Sequence, residues 1–129
     1  MYKCFRLING MDLKKEIEKY AIDNNISGII ICSVGSLKKL VIRLADGKNI
    51  LENEGAFEIV SITGTLSPNG VHIHIAVSDD LGNTIGGHLK EGCIINTTAE
   101  ICLEIFDNIQ FNREYDDSTG YDELVIYEQ

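Results

Sequence analysis

All three histidines of the chain, His72, His74 and His88, fall inside the single window HIHIAVSDDLGNTIGGH, residues 72–88. Imidazole is the commonest side-chain metal ligand and the one group whose ordinary titration spans neutral pH. In VHIHIAV (71–77) apolar and polar residues alternate, as they do on a strand with one buried face. His72 and His74 then project from one face, while Val71, Ile73 and Ile75 project from the other. Two imidazoles placed this way can reach one ion.

The third comes by way of a turn. If Asp80-Leu81-Gly82 is a three-residue hairpin loop with Gly82 in the left-handed position, the register centres on Leu81. Residue 74 then lies opposite residue 88, and directly opposed residues hold their Cβ atoms about 4.5–5.5 Å apart on the same face. Gly86 and Gly87 keep that face uncrowded. Three neutral imidazoles with a fourth position open are the usual protein ligands of catalytic zinc. Non-haem iron and nickel also accept such a set, and three unconnected histidines on a wet face would show the same spacing.

Five further residues are candidates for a pocket around this cluster. Thr63 and Thr65 lie across the Ser67-Pro68-Asn69-Gly70 turn from His74 and His72, where a hydroxyl can orient a ligand histidine. Glu58 and Glu100 are candidate acids or bases, and Arg113 a candidate anion clamp. The glycines of SITGT and TIGGH precede no helix start, so they form no phosphate loop.

The elements that must position these groups are mostly strands. One amphipathic helix is predicted from about Asp12 to Asn24, with Leu13, Ile17, Tyr20 and Ala21 on its apolar face. Asn24-Asn25 is its stop. Strands are expected at 28–34, 37–45, 57–66, 71–77, 84–89, 93–106 and 123–128, with a break at Gly35-Ser36. One helix and about seven strands over 129 residues imply one α+β domain of mostly antiparallel sheet.

Composition narrows the function classes. The net charge is −9, with 20 acidic against 11 basic side chains. DNA affinity depends largely on Lys and Arg displacing phosphate counterions. The densest basic pairs, Lys14-Lys15 and Lys38-Lys39, make no patch, so direct nucleic-acid binding by this chain alone is disfavoured. No stretch approaches the roughly 20 apolar residues of a membrane span, and MYKCFRLING turns polar too early for a signal peptide. Cys4, Cys32, Cys93 and Cys102 form no C-x-x-C pair. The last three sit in apolar runs, which reads as buried, reduced thiols of a cytoplasmic protein.

The sequence resembles a known family. GMDLKKEIEKYAIDNNI, FEIVSITGTLSPNGVHIHIAVSDDLGNTIGGHLKEGCIINTTAEICLEI and NREYDDSTGYDEL look like a stand-alone prokaryotic plants-and-prokaryotes conserved domain. That domain also occurs in plant AT-hook nuclear proteins. The resemblance spans about Arg6 to Leu124 and implies a compact α+β fold associating as a homotrimer. It implies a metal at the H-x-H and G-G-H positions, here His72, His74 and His88. The family fold is similar to that of acetolactate decarboxylase, which holds zinc with three histidines. The resemblance also brings a DNA-binding label from the plant members, whose DNA contact is a separate basic R-G-R-P segment that this sequence lacks. Two functions follow as expectations. One is a trimeric zinc-binding protein with an open coordination position, acting on a small molecule as a lyase or hydrolase. The other is a non-enzymatic regulatory module, or one that meets DNA through a partner.

Overall fold

The structure is a computed structural model and describes residues 1–128. Strand β1 (Tyr2–Ile8) leads into helix α1 (Leu13–Asp23). Then follow β2 (Gly28–Arg43), β3 (Ile50–Ser67), β4 (Gly70–Ser78), β5 (Thr84–Leu89), β6 (Ile94–Ile105), β7 (Ile109–Asp116) and β8 (Tyr121–Glu128). The fold is α+β, with one helix and antiparallel ladders throughout.

The helix begins and ends where its sequence directs. Asp12 caps it, accepting a hydrogen bond from the Lys15 amide at 3.1 Å. The same carboxylate accepts from the Gly92 amide at 2.7 Å, which ties the helix start to the β5–β6 connection. Asn24 closes the far end, and Asn25 supplies the left-handed residue, with φ 52°. Leu13, Ile17 and Ala21 are fully buried, and Tyr20 packs on Phe5 with ring centroids 4.7 Å apart.

Six strands form one sheet in the order β1-β6-β2-β3-β4-β5. The sheet rolls until β5 meets the far end of β2, pairing Leu89 with Ile42 and His88 with Arg43. Closure of β2-β3-β4-β5 gives that end an inside and an outside. Inside are Leu37, Leu40, Ile42, Leu66, Val77 and Leu89, each essentially inaccessible to water. Burying each such side chain stabilises the fold by about 1.5–3 kcal/mol. The remaining strands, β7 and β8, make a separate two-stranded ribbon. It is fastened to the sheet by the Phe111 amide, which donates to Ser27 Oγ at 2.8 Å, and by Asn69, which bonds both backbone groups of Arg113.

The structure corrects the sequence reading in several places. The expected strands include neither β1, in which only Lys3 and Arg6 are charged, nor the mostly polar β7, and β3 starts at Ile50, seven residues earlier than expected. The break expected at Gly35-Ser36 is absent, and β2 runs continuously through it. A Cβ on Gly35 would lie 2.2 Å from the Thr98 carbonyl oxygen, so this glycine admits the backbone of β6. Of the cysteines read as buried, only Cys93 is. Cys32 is exposed and Cys102 half-buried, because the strands holding them cover the core with one face only. Cys4, Cys102 and Cys32 stand in one row across β1, β6 and β2, and all four thiols are free. Among the described residues no helix is long and apolar enough to cross a membrane.

Candidate metal centre and adjoining cavity

The β4–β5 hairpin has the register its loop demands. Gly82 is left-handed at φ 82°, and the Asp79 carboxylate accepts from the Leu81 and Asn83 amides at 2.9 Å each. His74 therefore pairs directly with His88. His72 precedes it by two on the same face of β4, and the ring centroids lie 4.9 Å (His72–His74), 5.2 Å (His72–His88) and 5.7 Å (His74–His88) apart.

One nitrogen from each ring lies within 4.8 Å of the others. A tetrahedral ion with bonds of about 2.0–2.1 Å would draw such nitrogens to roughly 3.3 Å, a contraction within reach of small side-chain rotations. His88 Nδ1 is buried with no hydrogen-bond partner, although buried polar atoms are normally satisfied. The donor set, its convergence and this orphaned nitrogen all fit a bound metal.

Two of the rings, His88 and His72, are also held in the form that coordinates. Burial, then the Arg43 guanidinium and the two neighbouring histidines, push the His88 pKa down to about 4. His72 is lowered too, by burial first and then by His74 and Arg113. Neutral imidazole keeps a lone pair for a metal.

Gly86 and Gly87 serve the hairpin differently from the sequence reading. A Cβ on Gly87 would lie 2.6 Å from the Arg43 carbonyl oxygen, and one on Gly86 2.6 Å from that of Ile75. Their bareness lets neighbouring backbones approach, and at Gly87 it allows the sheet to close.

Thr63 and Thr65 pair with His74 and His72, flanking the cluster as the turn predicts. Arg113 also arrives here, its Nη2 donating to Thr65 Oγ1 at 2.8 Å. Glu58 and Glu100 do not. Glu58 pairs with Ser78, five positions along β3 from Thr63 and so about 17 Å away at strand rise. Glu100 is exposed on β6 between Arg6 of β1 and Val34 of β2. Strand register carries both carboxylates away from the histidines.

Beside His72 and His88 opens a cavity of about 440 Å³. Arg43, Arg113, Glu18, Tyr121, Asp122 and Glu123 share its wall. The sequence reading missed all of these except Arg113. Arg43 had one usable signal, as a charge at the end of the apolar run LVIR. Glu18 follows the buried Ile17 with nothing to single it out. The other three ride on the ribbon, whose docking through Asn69 and Ser27 is not visible as a local pattern.

Fold and site together define a class: a small α+β domain carrying a three-histidine cluster on a rolled antiparallel sheet. The chain belongs to the Plants and Prokaryotes Conserved (PCC) domain family, whose profile matches residues 3–107. The β7–β8 ribbon lies beyond the matched stretch. The chain is 44% identical over 122 residues to Bifunctional protein GlmU of Synechococcus sp. strain JA-3-3Ab, covering 94% of this chain and 20% of that protein. GlmU of Synechococcus sp. strain JA-2-3B'a(2-13) is also 44% identical, over 124 residues, with 94% and 19% covered. The chain thus spans about a fifth of the length of these curated relatives. A hypothetical protein from Salmonella enterica has the same fold at a TM-score of 0.94 and 32% identity, with 100% of this chain and 94% of that one covered. The metal-containing protein AF0104 from Archaeoglobus fulgidus has a TM-score of 0.74 at 23% identity, with 97% and 93% covered.

Proposed function

We propose that this protein binds one divalent metal, zinc by preference, through His72, His74 and His88, and presents its open coordination position to a small molecule in the adjoining cavity. The observation that carries the reading is the convergence of three imidazole nitrogens, one from each ring, within 4.8 Å. Zinc suits an all-imidazole set and tolerates three protein ligands. A metal bound there would lower the pKa of a coordinated water or polarise a substrate oxygen. Around it Thr65 and Arg113 fix the side facing β3, while Glu18 and Glu123 put carboxylates on the cavity wall. The metal content of the Archaeoglobus relative supports the reading.

The working form we propose is a homotrimer in the cytoplasm. Exposed apolar side chains on the main sheet, including Ile31, Val34 and Val60, support association, and four free cysteines suit a reducing setting. Direct DNA binding is opposed by the net charge of −9. A second reading, a ligand-sensing module without its own reaction, is favoured by the occurrence of a similar segment as about a fifth of a bifunctional protein.

Elemental analysis of protein purified without a histidine tag tests the metal. One equivalent per chain is expected in the wild type, and little in His74→Ala or His88→Ala. Unchanged metal content in both variants would overturn the assignment.

A further inference from the structure

The cavity beside the histidines contains two cations with no anionic partner. Arg113 is held by Thr65 Oγ1 at 2.8 Å and, at 3.5 Å, by the Asp122 carbonyl oxygen. Arg43 lies under the Tyr121 ring, with 5.7 Å from guanidinium carbon to ring centroid. Both Nε atoms are buried with no protein acceptor. Among the described residues the ion pairs involve only lysines, so neither guanidinium has a carboxylate within ion-pairing distance. The two come from unrelated parts of the chain, the end of β2 and the start of the ribbon, and meet on one cavity wall with His72 and His88.

We infer that this cavity is a binding site for a small monocarboxylate, held between Arg43 and Arg113 beside the histidine cluster. A guanidinium presents parallel N–H donors that match the two oxygens of a carboxylate, and on these half-buried arginines the inaccessible Nε–H groups lack an acceptor until one arrives. The wall also chooses among anions. Glu18, Asp122 and Glu123 line the same cavity, so two positive groups face three negative ones. That balance repels a dianion such as phosphate more strongly than a singly charged carboxylate, whose one charge bidentate pairing with a guanidinium can offset. Val71 and the Tyr121 ring offer the ligand's neutral remainder an apolar surface. The volume, about 440 Å³, suits a metabolite-sized molecule.

The proposal gives the metal reading a substrate class. It rests on that reading only for what the ligand's next oxygen meets: the carboxylate on the arginines would direct an adjacent hydroxyl or carbonyl oxygen towards the histidines. Anchoring itself needs no metal, so the two readings can fail separately.

The test is an NMR titration of chelator-treated, metal-free protein, following the Nε–Hε signals of arginine. Glycolate is the probe, with inorganic phosphate and chloride beside it. Glycolate should shift the Arg43 and Arg113 signals saturably, and in His74→Ala as well as in the wild type. Phosphate should bind more weakly and chloride should leave both signals unshifted. Arg113→Gln and, independently, Arg43→Gln should each weaken glycolate binding by about tenfold or more, the loss expected for a hydrogen-bonded charge. Absence of a saturable shift in the wild type would overturn the site. So would equal responses to glycolate and chloride, and phosphate binding tighter than glycolate would overturn the monocarboxylate class. Failure of the wild type to bind zinc, with its glycolate response intact, would overturn the metal reading alone.

Discussion

Arg43 stands directly opposite His88 on the short ladder that closes β5 onto β2. The same contact that completes the rolled sheet therefore sets the electrostatics of a metal ligand. Burial and this guanidinium hold His88 neutral down to about pH 4, against an ordinary value near 6.5.

That shift predicts how metal binding follows pH. A histidine of ordinary pKa would lose its metal as pH falls through about 6.5. Here the proton competes for His88 only near pH 4, and for His72 below its ordinary range. Zinc affinity should consequently decline less steeply between pH 7 and 5 than in an exposed three-histidine peptide. Competition titrations across that range check this; equal slopes would contradict it.

The same linkage governs the metal-free fold. The folded pKa of His88 is depressed, so the unfolded chain takes up its proton first. The contribution is complete above the unfolded value near 6.5 and is lost as pH falls towards about 4. Denaturant midpoints of the apo protein should fall over this interval, and replacing His88 with Gln should flatten that part of the profile.

Association can be tested on the sheet's outer surface. Val34 and Val60 are each 56% exposed, and like charge placed on a packed apolar interface resists burial. Sedimentation should show a trimer for the wild type at micromolar concentration and smaller species for Val60→Glu with an unchanged circular dichroism spectrum. A stable wild-type monomer would remove the trimer from the proposal.

Much of this was legible in the sequence because the controlling signals are local. Alternation in VHIHIAV set the histidine face, and the odd-length loop around Leu81 set the His74–His88 pairing. Asp12 and Asn24 bounded the helix. What escaped depends on contacts between distant segments. Gly35 looks like a strand break, and only the approach of Thr98 shows it to be a strand interior. Glu58 and Glu100 had suitable chemistry, but register, counted over whole strands, sets them apart from the histidines. The strand expected at 123–128 is half of the ribbon, but its place beside the histidines appears only when Asn69 is seen gripping Arg113.

Sheet closure gives a prediction linking fold to site. Gly87→Ala would place a methyl 2.6 Å from the Arg43 carbonyl oxygen and against Ile42. Backbone cannot yield there without opening the β2–β5 ladder, so stability should fall by about 1–3 kcal/mol, the usual cost of overpacking. Zinc affinity should fall with it, because His88 moves with β5. A control with Gly82→Ala, where an added Cβ meets nothing within 4 Å, should strain the left-handed turn but leave the ladder intact. Equal zinc loss in both variants would show that closure is not what positions His88.

Asn69 separates the two halves of the site. Its Oδ1 accepts from the Arg113 amide at 3.0 Å and its Nδ2 donates to the Arg113 carbonyl at 3.1 Å. It thus fixes the ribbon at the point where Arg113 turns towards Thr65. Asn69→Ala removes both bonds, worth about 1–3 kcal/mol together at the usual net value per bond. The histidines depend on the β4–β5 hairpin and not on the ribbon, so zinc content should stay at one equivalent. Glycolate binding should weaken, because the guanidinium loses its fixed direction and its ordering must then be supplied on binding. Elemental analysis and the arginine Nε–Hε titration on one preparation check both halves. Simultaneous loss of metal and glycolate response would show that the ribbon supports the metal centre as well.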